Sequence, residues 1–314
     1  MVDFSKRLSK PKPEKVIDPI EIYAGLDRAS DKGELRRVQA HVLNHWHEKA
    51  RATKDVIVKL HTGQGKTVIG LLMLQSKLNE HGGPVVYFCP NIQLIEQTCE
   101  QARQFGFNIC KAEPWKPLPA EFLDGKAILI TSIQKLFNGL TQFGLHHHSK
   151  KVSAMLMDDC HACVDSIRDA VTLSIPRKIT GSKGEVKGTH PVYEKIFALM
   201  SDVLQEQGEG TFQDIQGEKP NAFLAVPYWA WMDRAQEVTK IIGELSDHDS
   251  VKFVWPILKD RIADCLCVVS GTSLEITPHL APLEDFGSYW NADSRIFMSA
   301  TVTDDSFLVK GLRL

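Results

Sequence analysis

The sequence predicts an α/β fold, a parallel sheet flanked by helices, interrupted late in the chain by a mainly helical insert. Three observations carry this reading. Short β-rich apolar runs alternate with helical patterns between Asp55 and Met157, and strand-then-helix units of that length build parallel sheets. A glycine-rich loop, Gly63-Gln64-Gly65-Lys66-Thr67, joins the first such run to the first strong helix. The other polar motifs also stand at the ends of apolar runs, where open α/β sheets bind their ligands.

Taken in order, residues 1–19 are rich in Lys and Pro and read as a basic tail or strap, with Lys6, Arg7, Lys10, Lys12 and Lys15 as solvated charges. Ile20 to Trp46 reads as helical, with a break at Asp31-Lys32-Gly33. Asp55 to Leu60 is the first strand and Val68 to Leu78 the helix after the glycine-rich loop. Strands follow at Pro84–Cys89, Ala127–Thr131 and Ala154–Met157, with helices at Gln93–Phe105 and around Gln134–Phe137. Ile296 to Ser299 is the last strand. The stretch from Ala162 to Ser294 is far too long for a structureless loop. About 162–264 is therefore an inserted subdomain, helical from Val192 to Ile262, with Tyr228, Trp229, Trp231 and Trp255 as its small core. Cys265 to Thr277 is β-rich and is expected back in the main sheet, so that residues 20–161 and about 265–314 form one domain.

Composition narrows the function classes. Apolar residues make up 43% and charged residues 24%, which excludes a disordered, collagen-like or disulfide-scaffold chain. No run approaches the roughly 18 apolar residues of a membrane span, so no membrane partner is expected. The net charge of −2 leaves any nucleic-acid site to a local groove. Seven cysteines and a start without an apolar signal core imply reduced thiols and a cytoplasmic location. Cys160 and Cys163 form a C-x-x-C without a partner motif and read as packing residues, and His146-His147-His148 reads as an exposed turn rather than a metal site.

The glycine-rich loop has the chemistry of a phosphate cradle. Glycines let the backbone N–H groups turn inward, and the helix N-terminus adds its partial positive charge. Lys66 would reach the β- and γ-phosphates and the Thr67 hydroxyl would hold Mg²⁺. The usual first glycine of such loops is Leu60 here. A second strand ending in carboxylates completes a nucleoside triphosphatase. Asp158 would accept Mg²⁺-bound waters, Asp159 would orient the attacking water, and His161 would relay the nucleotide state outward.

With these residues in place the chain resembles the first RecA-like domain of a superfamily 2 helicase of the DEAH type, a P-loop NTPase fold. Arg36-Arg37-Val38-Gln39 is similar to the Arg-x-x-Gln element, which places Arg36 and Gln39 near the adenine. Thr62, Gly63, Gln64, Gly65, Lys66 and Thr67 match motif I. Pro90-Asn91 with Leu94 and Gln97 resembles motif Ia, and Thr131-Ser132-Ile133-Gln134 the next strand-binding element. Asp158 to His161 matches motif II, and Ser299-Ala300-Thr301 matches motif III, which couples the nucleotide site to the strand. The large insert between motifs II and III is similar to that of the XPD and DinG subgroup. The resemblance implies ATP and Mg²⁺ as cofactors and a single-stranded nucleic acid as partner, with DNA favoured.

Three departures qualify what it implies. Asp159 stands where a glutamate is usual, one methylene shorter, so hydrolysis is expected to be slow. Only Cys99 and Cys110 lie where the subgroup carries four iron–sulfur cysteines, so no cluster is expected. The sequence stops at Leu314, just past motif III. A second RecA-like domain with its arginine finger is thus expected from a longer chain or a partner, and the chain alone is expected to bind ATP but hydrolyse it poorly. An ATP-dependent scaffold or clamp and, more remotely, a small-molecule P-loop kinase are the competing readings.

Overall fold

A computed structural model describes residues 15–113, 116–181, 184–300 and 305–314. Most of the basic tail, with Lys6, Arg7, Lys10 and Lys12, lies outside the described residues. So does Thr301. Among the described residues no helix is long and apolar enough to cross a membrane.

Helices α1 (Pro19–Ala24) and α2 (Arg37–His45) come first, and α2 runs into a π-helical turn over Trp46–Ala50. The expected helix from Ile20 to Trp46 is thus two short ones, with Asp31-Lys32-Gly33 in the coil between them. Pro19 and the Asp18 side chain, which accepts from the Ile20 N–H at 2.7 Å, start α1. Gly25 ends it, and the Tyr23 hydroxyl donates to the Gly33 carbonyl at 2.6 Å, folding the coil back over the helix.

The main sheet is built from β1 (Asp55–Lys59), β2 (Val85–Cys89), β3 (Ile109–Lys111), β4 (Ile128–Ser132) and β5 (Ala154–Met157). Helices α3 (Lys66–His81), α4 (Ile92–Gln104), the short α5 (Ala120–Leu123) and α6 (Cys160–Ala170) are interleaved with them. After the insert the chain returns in a last strand, Ser294–Ser299, and a helix, Asp305–Leu312. All pairings in this six-stranded sheet are parallel, and the last strand lies between β1 and β5, with β2, β4 and β3 beyond. Both faces are buried, which is why these strands read as continuous apolar runs. Val85, Tyr87 and Cys89 join the cluster under α3 and α4, while Val86 and Phe88 join the cluster on the other face. Gly70 lets α3 lie close to the sheet, because a Cβ there would meet Leu156 Cδ1 at 2.7 Å.

The insert holds β6 (Leu173–Pro176), β7 (Lys178–Thr180), β8 (Val186–Thr189), α7 (Pro191–Gln207), α8 (Glu209–Gln216), β9 (Phe223–Ala225), α9 (Tyr228–Gly243) and α10 (Trp255–Leu258). It continues through β10 (Cys265–Ser270), β11 (Ser273–Pro278) and α11 (Gly287–Trp290); the last strand and helix of the main sheet are accordingly β12 and α12. Its helices predominate, as expected, but Cys265 to Thr277 does not rejoin the main sheet. It forms the β10–β11 hairpin of a second, four-stranded sheet in the order β6-β11-β10-β9, with antiparallel pairings. Alternation along β10 explains the difference. Cys265, Cys267 and Val269 are buried while Leu266, Val268 and Ser270 are not, the pattern of a sheet covered on one face.

The aromatic segment of α9 also divides. Trp231 is core at 1% exposure, its Nε1–H donating to the Ile262 carbonyl at 2.7 Å. Tyr228 and Trp229, expected in the same core, are 53% and 60% exposed. Helical spacing turns only every third or fourth residue inward. His146–His148 forms an exposed 3₁₀ turn.

Candidate nucleotide site

The glycine-rich loop connects β1 to α3 at the carboxyl edge of the sheet. Gly63 and Gly65 have φ of 82° and 76°, a left-handed backbone that glycine adopts without strain. Leu60, in place of the usual glycine, extends β1, and its N–H donates to the Ser299 carbonyl at 3.0 Å. Lys66 and Thr67 are the first two residues of α3, so the free N–H groups of the helix face the loop. No acidic residue lies in that first turn, which leaves the positive end of the helix dipole uncompensated. Thr62 is exposed and Gln64 half-buried on the same turn.

Arg36 and Gln39 meet the loop from α2. The Arg36 guanidinium donates from Nη1 to the Gly63 carbonyl at 2.8 Å, and the buried Gln39 accepts from the Arg36 N–H at 2.9 Å. A Cβ at Gly65 would meet Gln39 Nε2 at 2.2 Å, so the amide lies directly over the loop. Beside them opens a cavity of about 370 Å³ lined by Tyr23, Arg36, Gln39, Gly65, Gln101 and Phe105, among others. The Tyr23 and Phe105 rings stand 6.1 Å apart in its wall. Its mix of aromatic faces and side-chain amides suits a nucleobase. Tyr23, Gln101 and Phe105 carry no sequence signal, since their elements read as ordinary helix and coil.

Asp158 ends the β5 run, buried at 8% exposure. Burial pushes its carboxyl above the ordinary range, and the Tyr87 phenol and the Lys66 charge work against that rise. Its Oδ2 accepts from the Tyr87 hydroxyl at 2.9 Å and its Oδ1 from the Asp159 N–H at 3.0 Å. Burial and the Asp158 charge hold the Tyr87 phenol well above its ordinary pKa, so it remains a donor. Sequence reasoning missed Tyr87, which looks like one more apolar residue of β2. Asp159 is exposed and precedes α6 with φ 50° and ψ 65°. Left-handed backbone at a non-glycine residue is strained and clusters at functional sites.

The donor set fits Mg²⁺. Among the described residues no group of three or more His, Cys, Asp or Glu forms a closed cage. Mg²⁺ keeps several waters and takes one or two protein oxygens besides phosphate, and Thr67 with Asp158 supplies that much. A buried carboxylate that resists ionisation also gains from a cation beside it.

His161 Nδ1 and Ser299 Oγ lie 3.1 Å apart, joining the acidic motif to the end of β12. Ala300 follows half-buried. The thiols nearby are buried, and desolvation pushes Cys89 up to about 12 and Cys160 up to about 11. They are packing groups rather than nucleophiles.

The residues expected to meet a strand are only partly gathered. Gln134 Nε2 donates to the Pro90 carbonyl at 3.4 Å, which brings the two strand-binding elements together. Asn91 caps α4, accepting from the Leu94 N–H at 2.9 Å. Thr131 is 3% exposed inside β4, so Ser132 and Gln134, rather than its side chain, reach the surface. Gln97 is exposed along α4, where it borders a shallow depression with Gln101 and Gln104. Ser132, Gln134 and Lys135 also line a cleft of about 510 Å³ that Phe253 and Val254 of the insert close from the other side.

The parallel sheet with its flanking helices is a RecA-like α/β fold. Residues 32–182 match the family described as type III restriction enzyme, res subunit. Among solved structures it is similar to S. tokodaii Xpd4, at 14% identity and a TM-score of 0.50, over 85% of this chain and 59% of that one. That likeness is one of fold. An XPD helicase matches at 13% identity and a TM-score of 0.49, over 90% of this chain and 61% of that one. The UvsW helicase of bacteriophage T4 matches at 15% identity and a TM-score of 0.34, over 52% and 58%. The chain spans about three fifths of the length of these structures. No curated protein matches it in sequence.

Proposed function

We propose that this chain is the ATP-binding half of an ATP-dependent DNA helicase or translocase of the XPD-like subgroup, in which hydrolysis is coupled to binding of a single strand. One observation carries the reading. The phosphate loop on α3 faces a buried acid at the end of β5, and the His161–Ser299 pair links that acid's motif to the end of β12. The N-terminus of α3 and Lys66 hold the phosphates, and Arg36 and Gln39 hold the loop and border the base. When bound, Mg²⁺ would neutralise phosphate charge, with Thr67 and Asp158 as its protein contacts. Asp159, exposed beside Asp158, orients the attacking water. His161 and Ser299 pass the state of the site to β12 and the residues after it.

Pro90, Asn91, Gln97 and Gln134, with Ser132 in place of the buried Thr131, mark the strand-facing side, and the cleft between Gln134 and Phe253 is where we seat the strand. DNA is favoured because of the XPD-like insert, which is an analogy of architecture. With only Cys99 and Cys110 between the early motifs, we assign ATP and Mg²⁺ as cofactors and no iron–sulfur cluster. The arginine finger, worth roughly 10³–10⁵ in rate, comes from a second RecA-like domain in a longer chain or a partner. The shorter Asp159 is expected to keep turnover low, and we place the protein in the cytoplasm. We divide it into a nucleotide domain and an insert, the latter extending from about residue 162 through α11.

Steady-state ATP turnover with and without single-stranded DNA, measured beside Lys66→Ala, tests this. Lys66-dependent turnover stimulated by DNA supports it, and a Lys66→Ala variant with unchanged affinity and turnover overturns it. The strained, shortened Asp159 favours a second reading, an ATP-dependent scaffold or clamp. That reading predicts Lys66-dependent nucleotide binding without turnover, with or without single-stranded DNA.

A further inference from the structure

We propose that Tyr87 is a positioning residue for Mg²⁺, acting by bracing the carboxylate assigned to that ion, Asp158. The inference rests on the nucleotide reading above and deepens it. Tyr87 is fully buried in the middle of β2. Its hydroxyl donates to Asp158 Oδ2 at 2.9 Å while the Asp159 N–H donates to Oδ1 at 3.0 Å. One donor on each oxygen fixes the plane of the carboxylate and leaves each oxygen a further acceptor site.

The brace is rigid. The ring is wedged under α3, where a Cβ on Gly70 would stand 3.1 Å from Tyr87 Cε2. The phenol therefore holds the Asp158 carboxylate in place from β2. Groups that hold metal ligands in place typically contribute 10- to 100-fold to metal affinity.

Tyr87→Phe removes one oxygen and keeps the ring. Binding of a fluorescent ATP analogue is followed by anisotropy, first in EDTA and then across a Mg²⁺ titration, with a melting curve to report the fold. Half-saturating Mg²⁺ is expected to rise roughly 10- to 100-fold in Tyr87→Phe, while affinity in EDTA stays within about twofold. A purely structural phenol would lower the melting temperature and weaken binding equally in both conditions, which would overturn the proposal, as would an unchanged Mg²⁺ midpoint. Because Tyr87 is argued to act through Asp158, Tyr87→Phe should add little to the Mg²⁺ midpoint of Asp158→Asn, and full additivity would also overturn it. A wild-type chain without any Mg²⁺-dependent binding would remove the nucleotide reading and this inference together. Wild-type dependence that Tyr87→Phe leaves intact would remove the inference alone.

Discussion

At Asp159 the backbone and the chemistry ask for different side chains. A φ of 50° is costly for most residues, and aspartate tolerates it better than the longer glutamate. The departure from glutamate thus agrees with the local backbone. Asp159→Ala is expected to leave Mg²⁺-dependent nucleotide affinity within about twofold and to lower DNA-stimulated turnover by roughly 10²-fold or more, the range of general-base contributions. Parallel anisotropy and phosphate-release assays check it, and a matching loss in affinity would reassign Asp159 to binding. Lys66, Thr67 and Asp158 were legible because a phosphate loop and an acidic strand end are defined by spacing. Tyr87 was not, because a tyrosine in Val85-Val86-Tyr87-Phe88-Cys89 serves the strand as phenylalanine would, and only the fold brings its hydroxyl to Asp158. Thr131 fails in the opposite direction, since its motif position suggested a surface and its strand register buries it.

Among the elements, strands buried on both faces could be read directly from their apolar runs. The three-residue β3 and four-residue α5 fall below the length at which a pattern can form. The π-helical turn after α2 leaves its end near α3, where Arg51 Nη1 meets Glu80 Oε1 at 2.8 Å and Lys77 Nζ meets Oε2 at 3.3 Å. Burial opposes ionisation of Glu80, but Lys77, Arg51 and His81 outweigh it and hold the carboxyl below its ordinary 4.5. A depressed carboxyl contributes stability above its unfolded pKa and loses it as pH falls through the folded one. Glu80→Gln should therefore lower stability at neutral pH by at most about 1 kcal/mol, given the solvent at this site. The gap from wild type should close as pH drops below 4.5, and chemical denaturation at pH 7 and pH 3 would show it. A gap that persists at pH 3 would mean that packing, not charge, carries the effect.

For the whole molecule, sequence length alone exposed an insert, but not that part of it is a sheet. The β10 run Cys265–Ser270 is apolar almost throughout, so its one-sided burial was not visible, and the strands that complete its sheet, β6 and β9, lie apart in sequence and are short. The two tryptophans of α9 separate surface from core. Trp231→Ala removes a 1%-exposed ring and should cost about 3–5 kcal/mol, whereas Trp229→Ala, at 60% exposure, should stay within about 0.5 kcal/mol. Denaturant midpoints of the two variants test the pair, and equal losses would place Trp229 in a core as well.

The position of β12 has a further consequence for how the chain comes off the ribosome. β1 and β5 are its neighbours in the finished sheet, yet both emerge long before it. At roughly 5–20 residues per second, the wait between Met157 and Ser294 is about 7 to 27 seconds. Through that interval two apolar strands flank a one-strand gap, each presenting an unpaired edge to any extended segment nearby. Nascent chains of this protein are thus expected to need shelter until the insert has been made and β12 has filled the gap.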